Sequence, residues 1–277
     1  MISFEESTRT VQVGGLEVHY NEAGSGPAFL GFHGGGPGAN GWDNTKWNID
    51  ALAREHHVML VDLPGYGGSA PMEALEGESQ DEMYARFLLS FLDAVGLEKV
   101  ALYGTSMSAA PVVRFAHQHP ERVTKVILKS PGTVGFGYNI LSVSPPDGIM
   151  SLTAFRDEPT RENMARMMHL FVPKPGLVTD EMIDARFQSA LQAMAMPQPK
   201  MRPGGMADVR PLLPELKMPV LVFWGHQDRM VPLDGALTVL ALIPDVRIVL
   251  WGGGTGHFVE FEHADEWSRY VLDFLRS

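Results

Sequence analysis

The chain has 277 residues, enough for one large domain or two small ones with a full core. Hydrophobic residues at 45% and charged residues at 20% exclude a disordered or fibrous chain, and a net charge of −11 argues against a polyanion partner such as DNA. Cysteine is absent, which removes disulfide frameworks, thiolate zinc sites and cysteine nucleophiles together and leaves either redox compartment open.

The first ten residues, MISFEESTRT, are acidic and mixed, unlike a signal peptide. No apolar run approaches the roughly 20 residues that span a bilayer. A soluble, cytoplasmic protein without a membrane or nucleic-acid partner is expected. Val11–Val13 and Leu16–Tyr20, split by Gly14-Gly15, read as an opening hairpin. Ala28–Phe32, Val58–Val61, Val100–Tyr103, Val123–Leu128, Val220–Trp224 and Val246–Leu250 are short apolar runs that suit a central parallel sheet. Helical patterns lie between them, around Asp43–Arg54, Asp81–Val95, Met107–His119, Leu233–Leu242 and His263–Leu275. A hairpin followed by repeated β-α units predicts an α/β fold with an open, doubly wound, mostly parallel sheet.

One stretch breaks the rhythm. Between Gly132 and Met206 no strand is predicted, yet the segment carries 9 of the 16 methionines and 8 of the 20 prolines. Met164, Met167, Met168 and Phe171 fall on one helix face, and a second helix is expected over Asp180–Met194. The spacing suggests a helical lid at 132–208, inserted between core segments 1–131 and 209–277. Its methionines would adapt to an apolar ligand, although core packing is the plainer reading of any single one.

Tyr103-Gly104-Thr105-Ser106-Met107-Ser108 follows a predicted strand and opens a predicted helix. A serine there sits on a sharp turn with its hydroxyl above the sheet, as in the G-x-S-x-G nucleophile elbow, with Ser108 in the last glycine's place. Such a serine needs a base, and the base an orienting acid. Asp228 follows the strand Val220–Trp224, and His257 follows Val246–Leu250 and a glycine run. The order Ser106, Asp228, His257, each just past a strand's C-terminal end, is that of the α/β-hydrolase fold. After Ala28–Phe32 comes His33-Gly34-Gly35-Gly36-Pro37-Gly38. There Gly35 can supply one N–H to a tetrahedral oxyanion and Met107 the other. A phosphate loop would continue into Gly-Lys-Ser/Thr, and this one does not. His117 and His119 cap a helix end before Pro120, and His56 and His57 precede a strand. No carboxylate-histidine cluster has metal-ligand spacing, so neither metal nor cofactor is expected.

The run from His33 to Ala39, followed by Gly41-Trp42-Asp43-Asn44, resembles the oxyanion loop of the meta-cleavage product hydrolases. These are α/β-hydrolases that split a carbon–carbon bond in 2-hydroxy-6-oxohexa-2,4-dienoates during aromatic breakdown. Val231-Pro232-Leu233-Asp234 and Glu262-His263-Ala264-Asp265-Glu266 extend the likeness across the core, and it weakens in the lid. Thr105 stands where the family usually has asparagine, and Ser108 where it has glycine. The resemblance implies a serine-dependent C–C hydrolase acting on a small-molecule carboxylate, with Ser106, Asp228 and His257 as the triad and Gly35 and Met107 as the oxyanion hole. Gly36, Asn44, Thr105, Arg186 and Phe258 are then the candidate substrate contacts. On a helical wheel Arg186 falls within the apolar arc of Ile183, Phe187, Ala190, Leu191 and Met194, and its Ala-Arg-Phe setting resembles the family's carboxylate-binding arginine. Relatives commonly form homo-oligomers; the sequence itself leaves the oligomeric state open. A carboxylesterase or lactonase would use the same triad, and a small-molecule receptor could reuse the same scaffold.

Overall fold

Eight strands form one sheet in a computed structural model that describes residues 1–132, 147–197 and 199–277. They are β1 (Thr8–Val13), β2 (Leu16–Ala23), β3 (Ala28–Phe32), β4 (His57–Val61), β5 (Val100–Thr105), β6 (Val123–Lys129), β7 (Val220–Gly225) and β8 (Val246–Trp251). The spatial order is β1-β2-β4-β3-β5-β6-β7-β8. β1, β2 and β4 pair antiparallel, and every later pairing is parallel. The opening hairpin closes through Gly14 and Gly15, with φ of 59° and 85°. A two-residue turn with both φ values positive matches the strands' right-handed twist, and glycine adopts it without strain. After β3 the chain moves outward to β4 and then returns to β5 on the other side of β3. The loops leaving β3 and β5 therefore diverge at a switch point, where open α/β sheets form their crevice.

Helices α1 (Phe4–Ser7), α2 (Gly41–Thr45), α3 (Ile49–Leu52), α4 (Gln80–Ala94) and α5 (Ala109–Gln118) precede β6. Three more, α6 (Asp147–Asp157), α7 (Arg161–Phe171) and α8 (Asp180–Ala195), lie between β6 and β7. The last three are α9 (Gly235–Leu242), α10 (Val259–Glu262) and α11 (Ala264–Arg276). Alternation along the strands divides the core. On β5, Val100 and Leu102 join Phe87, Phe91 and Phe115 of α4 and α5, whereas Ala101 and Tyr103 join Trp267, Val271 and Phe274 of α11. On α7, Met164, Met167, Met168 and Phe171 are all buried, as their spacing predicted.

Three expectations are corrected. The helix expected over Asp43–Arg54 breaks into α2 and α3, and at the break the Asn48 side chain donates to the Ala264 carbonyl at 3.1 Å and Ser268 Oγ at 3.0 Å, fastening it to the last helix. β8, read as a two-sided buried strand, is the sheet edge, with Leu250 54% exposed. On α8 the buried residues are Ile183, Arg186 and Ala190, while Leu191 and Met194 are exposed. Arg186 is thus at the centre of the inward face. Part of the segment expected as a lid, 133–146 and 198, lies outside the described residues. Among the described residues no named strand falls between Gly132 and Met206, and no helix is long and apolar enough to cross a membrane.

Candidate active site

Ser106 ends the turn after β5 with φ 53°, a left-handed conformation that a non-glycine residue holds at a cost of about 1–3 kcal/mol. Its neighbours make the turn fit. A Cβ on Gly104 would lie 2.9 Å from the Ser108 carbonyl and from Val112 Cγ2, so this position requires glycine. The Ser108 hydroxyl accepts the Thr105 N–H at 2.8 Å and reaches the Phe32 carbonyl at 3.1 Å. Ser106 and Met107 line a cavity of about 320 Å³ with Gly35, Gly36, Leu152 and Phe171.

Asp228 lies just past β7. Its Oδ1 accepts the N–H groups of Met230 at 2.8 Å and Val231 at 2.9 Å, and its Oδ2 accepts His257 Nδ1–H at 2.7 Å. Burial would push this carboxyl up, but the adjacent imidazole and N–H donors outweigh it and hold Asp228 below its ordinary value. Burial likewise pushes His257 below the ordinary histidine value. Asp228 opposes that shift, while Lys129 and Arg186 add to it. The ring is therefore neutral at pH 7, with Nδ1 protonated towards Asp228 and the Nε2 lone pair left as a base. The His257 N–H also donates to the Phe171 carbonyl at 2.7 Å, and the two rings lie 5.4 Å apart. That contact ties the end of α7 to the histidine.

The glycine run after β3 is held from below. His33 Nδ1 donates to the Gly34 carbonyl at 2.7 Å and Nε2 accepts the Leu63 N–H at 3.0 Å, which fixes the tautomer of a ring that burial keeps neutral. Asp62 accepts the Gly41 N–H at 2.7 Å and pairs with His19 at 2.8 Å. A Cβ on Gly35 would lie 3.0 Å from Met107 Sδ and 3.2 Å from Met107 Cβ, so the backbones of Gly35 and Met107 approach closely beside Ser106. Met107 stands in the first turn of a helical segment, where backbone N–H groups have no acceptor within the helix.

Arg186 reaches this loop from α8. Its side chain lies 3.8 Å from the position of a Cβ on Gly36, and its guanidinium sits 5.4 Å from the Phe171 ring centre and 5.7 Å from that of Phe258. Burial pulls its pKa down to about 10, with Asp43 and Tyr66 opposing. Among the described residues Nε has no hydrogen-bond partner. A guanidinium in such surroundings remains charged at pH 7 and gains most from a buried anion. A second, smaller cavity beside it is lined by Asn44, Met168, Arg186 and Phe258.

Gly36, Asn44, Arg186 and Phe258 thus come together, and Phe258 stacks on Phe171 at 4.7 Å. Asn44 is also engaged within the protein, donating from Nδ2 to Glu260 Oε1 at 3.1 Å. Thr105 lines neither cavity, and its hydroxyl is buried behind Ser106. Residues with no site role assigned from the sequence also belong here. Phe171 lines the Ser106 cavity and stacks on Phe258 of the second one, and Tyr66 contacts Met107 Sδ at 3.6 Å. Lys129 and Glu260 lie buried under His257. A lone lysine ending an apolar strand was the available signal for Lys129. Among the described residues no histidine-carboxylate group has the arrangement of a metal site.

A family model for the alpha/beta hydrolase fold matches residues 27–193. The chain is 36% identical to a 2-hydroxy-6-oxo-6-phenylhexa-2,4-dienoate hydrolase of Burkholderia cepacia, with 99% of each chain covered. It is 37% identical to a 2-hydroxy-6-oxononadienedioate/2-hydroxy-6-oxononatrienedioate hydrolase of Dechloromonas aromatica, over 94% of this chain and 91% of that one. Among solved structures, a 2-hydroxy-6-oxo-6-phenylhexa-2,4-dienoate hydrolase from Rhodococcus superposes with a TM-score of 0.82 at 26% identity, covering 98% of both chains. The chain belongs to the α/β-hydrolase fold family and, within it, to the meta-cleavage product hydrolases.

Proposed function

We propose that this enzyme cleaves the C5–C6 bond of a 2-hydroxy-6-oxohexa-2,4-dienoate bearing a C6 substituent, acting in the cytoplasm on a small-molecule carboxylate. The observation that carries this reading beyond a plain esterase is Arg186. Its buried guanidinium beside Gly36, whose Nε has no hydrogen-bond partner among the described residues, suits the C1 carboxylate of such a substrate, in a chain whose net charge of −11 otherwise repels it.

Expelling a carbanion requires somewhere for its charge to go. His257 first moves a proton so that the dienol becomes its keto tautomer, and the C2 ketone then serves as an electron sink. Ser106 Oγ attacks C6 as His257 Nε2 takes its proton, and the C6 oxyanion rests on the Gly35 and Met107 N–H groups. Collapse breaks C5–C6, the electron pair delocalises to the C2 oxygen, and the proton held by His257 goes to that oxygen, C5 keeping the two hydrogens it has after ketonisation. The product is 2-hydroxypenta-2,4-dienoate. Water, deprotonated by His257, then frees the acyl group from Ser106 as a carboxylic acid. Asp228 holds His257 in the required tautomer throughout. The helices between β6 and β7 would close over the substrate as a lid.

The test is to incubate the protein with yellow aryl- and alkyl-substituted ring-fission products, follow the loss of colour, and identify both fragments. Stoichiometric hydroxypentadienoate and carboxylic acid support the reading. Turnover of aryl esters with no loss of colour from any dienoate would assign a carboxylesterase instead.

A further inference from the structure

One fully buried ionisable pair takes no part in the steps above. Lys129 ends β6, and its Nζ lies 2.8 Å from the His257 carbonyl, 3.4 Å from Glu260 Oε1 and 4.9 Å from the Phe258 ring centre. Glu260 Oε1 also accepts from Asn44, while its Oε2 has no partner among the described residues. A buried ion pair is often less stabilising than apolar side chains of the same volume. Packing alone therefore gives no reason for this one. What it does supply is a continuous connection, from Asn44 on the anion cavity through Glu260 and Lys129 to the backbone of the base.

We propose that Lys129 is a positioning residue which, with Glu260, clamps the His257–Phe258 turn to β6 and so aligns both the base and the aromatic wall of the carboxylate subsite with Ser106. This rests on reading His257 as the base for Ser106. The charged groups facing His257 are Asp228 from the loop after β7, Lys129 from β6 and Arg186 from α8. Lys129 in turn faces Glu260 and Glu262 of α10, and Asp228. Asp228 favours the protonated ring, whereas Lys129 and Arg186 disfavour it. Removing Lys129 should therefore loosen the turn and let the ring hold its proton to higher pH.

The experiment compares wild type with Lys129→Met and with Lys129→Met/Glu260→Gln, which leaves no unpaired buried charge and keeps the test alive should the single variant not fold. Two readouts are taken: the pH dependence of 4-nitrophenyl acetate hydrolysis, and the titration of the His257 ring by NMR. Both variants should lose about tenfold in kcat for the ester with KM unchanged, the scale expected when a catalytic group is misplaced by a fraction of an ångström. The acid limb and the ring titration should both move to higher pH. A double variant with kcat within about twofold of wild type and an unmoved titration would overturn the proposal. Wild type that hydrolyses the ester but no dienoate would remove the substrate reading and leave this one standing. The ring titration reads His257 without any turnover.

Discussion

The Ser108 hydroxyl accepts the Thr105 N–H at 2.8 Å, fastening the nucleophile turn across its own base and, through the Phe32 carbonyl, to the end of β3. Serine in the usual glycine's place thus adds a restraint to a turn that holds Ser106 in a strained conformation. Ser108→Ala leaves the buried Thr105 N–H without its acceptor and should lower stability by about 1–3 kcal/mol. Chemical denaturation measures it. An unchanged midpoint would show that the amide finds another acceptor.

Asp228→Asn can retain the Met230 and Val231 N–H bonds through its Oδ1 but favours the wrong tautomer of His257. kcat should fall by roughly 10⁴ with the fold intact. Steady-state kinetics and circular dichroism check both parts. A loss smaller than about tenfold would mean that another carboxylate orients the ring.

Attack by Ser106 requires neutral His257, whose pKa burial holds below the ordinary histidine value. The rate is lost as pH falls through that lowered value, so the acid limb of kcat/KM should lie below about 6.5. A pH-rate profile with a neutral ester reads it directly. A limb above that point would contradict a desolvated, neutral base.

Glu262 gives an effect on stability rather than rate. Burial is the main cause that raises its carboxyl to about 7 from the ordinary 4.5; neighbouring Glu260 adds to this, and the Gly256 N–H opposes it. Between those values the folded protein keeps a proton that the unfolded chain gives up. The contribution is present at low pH and lost as pH rises through about 7. Glu262→Gln preserves an acceptor for the Gly256 N–H, 2.8 Å away, and removes the ionisation. The variant should match wild type near pH 4 and exceed it by about 1–2 kcal/mol near pH 8.5, after allowance for partial solvent screening. Denaturation at the two pH values checks the sign.

Much of this was legible in the sequence because parallel strands buried on both faces leave short apolar runs, and because the proposed triad residues each follow such a run. β8 misled because Val246–Leu250 is as apolar as an inner strand, and only its place in the sheet makes it an edge. α6 was not foreseen: of its buried positions Gly148, Ser151 and Phe155 only the last is apolar and large, which leaves no apolar period, and Gly148 packs against Met230 and Arg229. The wheel placed Arg186 in the apolar arc but widened the arc to Leu191 and Met194, which tertiary packing leaves outside. Lys129 and Glu260 are 131 positions apart and meet only through the fold, so no local pattern could pair them.

The claim that this site holds a dienoate by its carboxylate is tested most directly by assaying wild type and Arg186→Gln on two substrates side by side. The expected result is a loss on the order of 10²-fold in kcat/KM for the dienoate, about 3 kcal/mol, as for a buried charge-assisted contact. A neutral aryl acetate, which lacks the carboxylate, should change less than about threefold. Equal losses on both substrates would make Arg186 a structural arginine and contradict the carboxylate clamp.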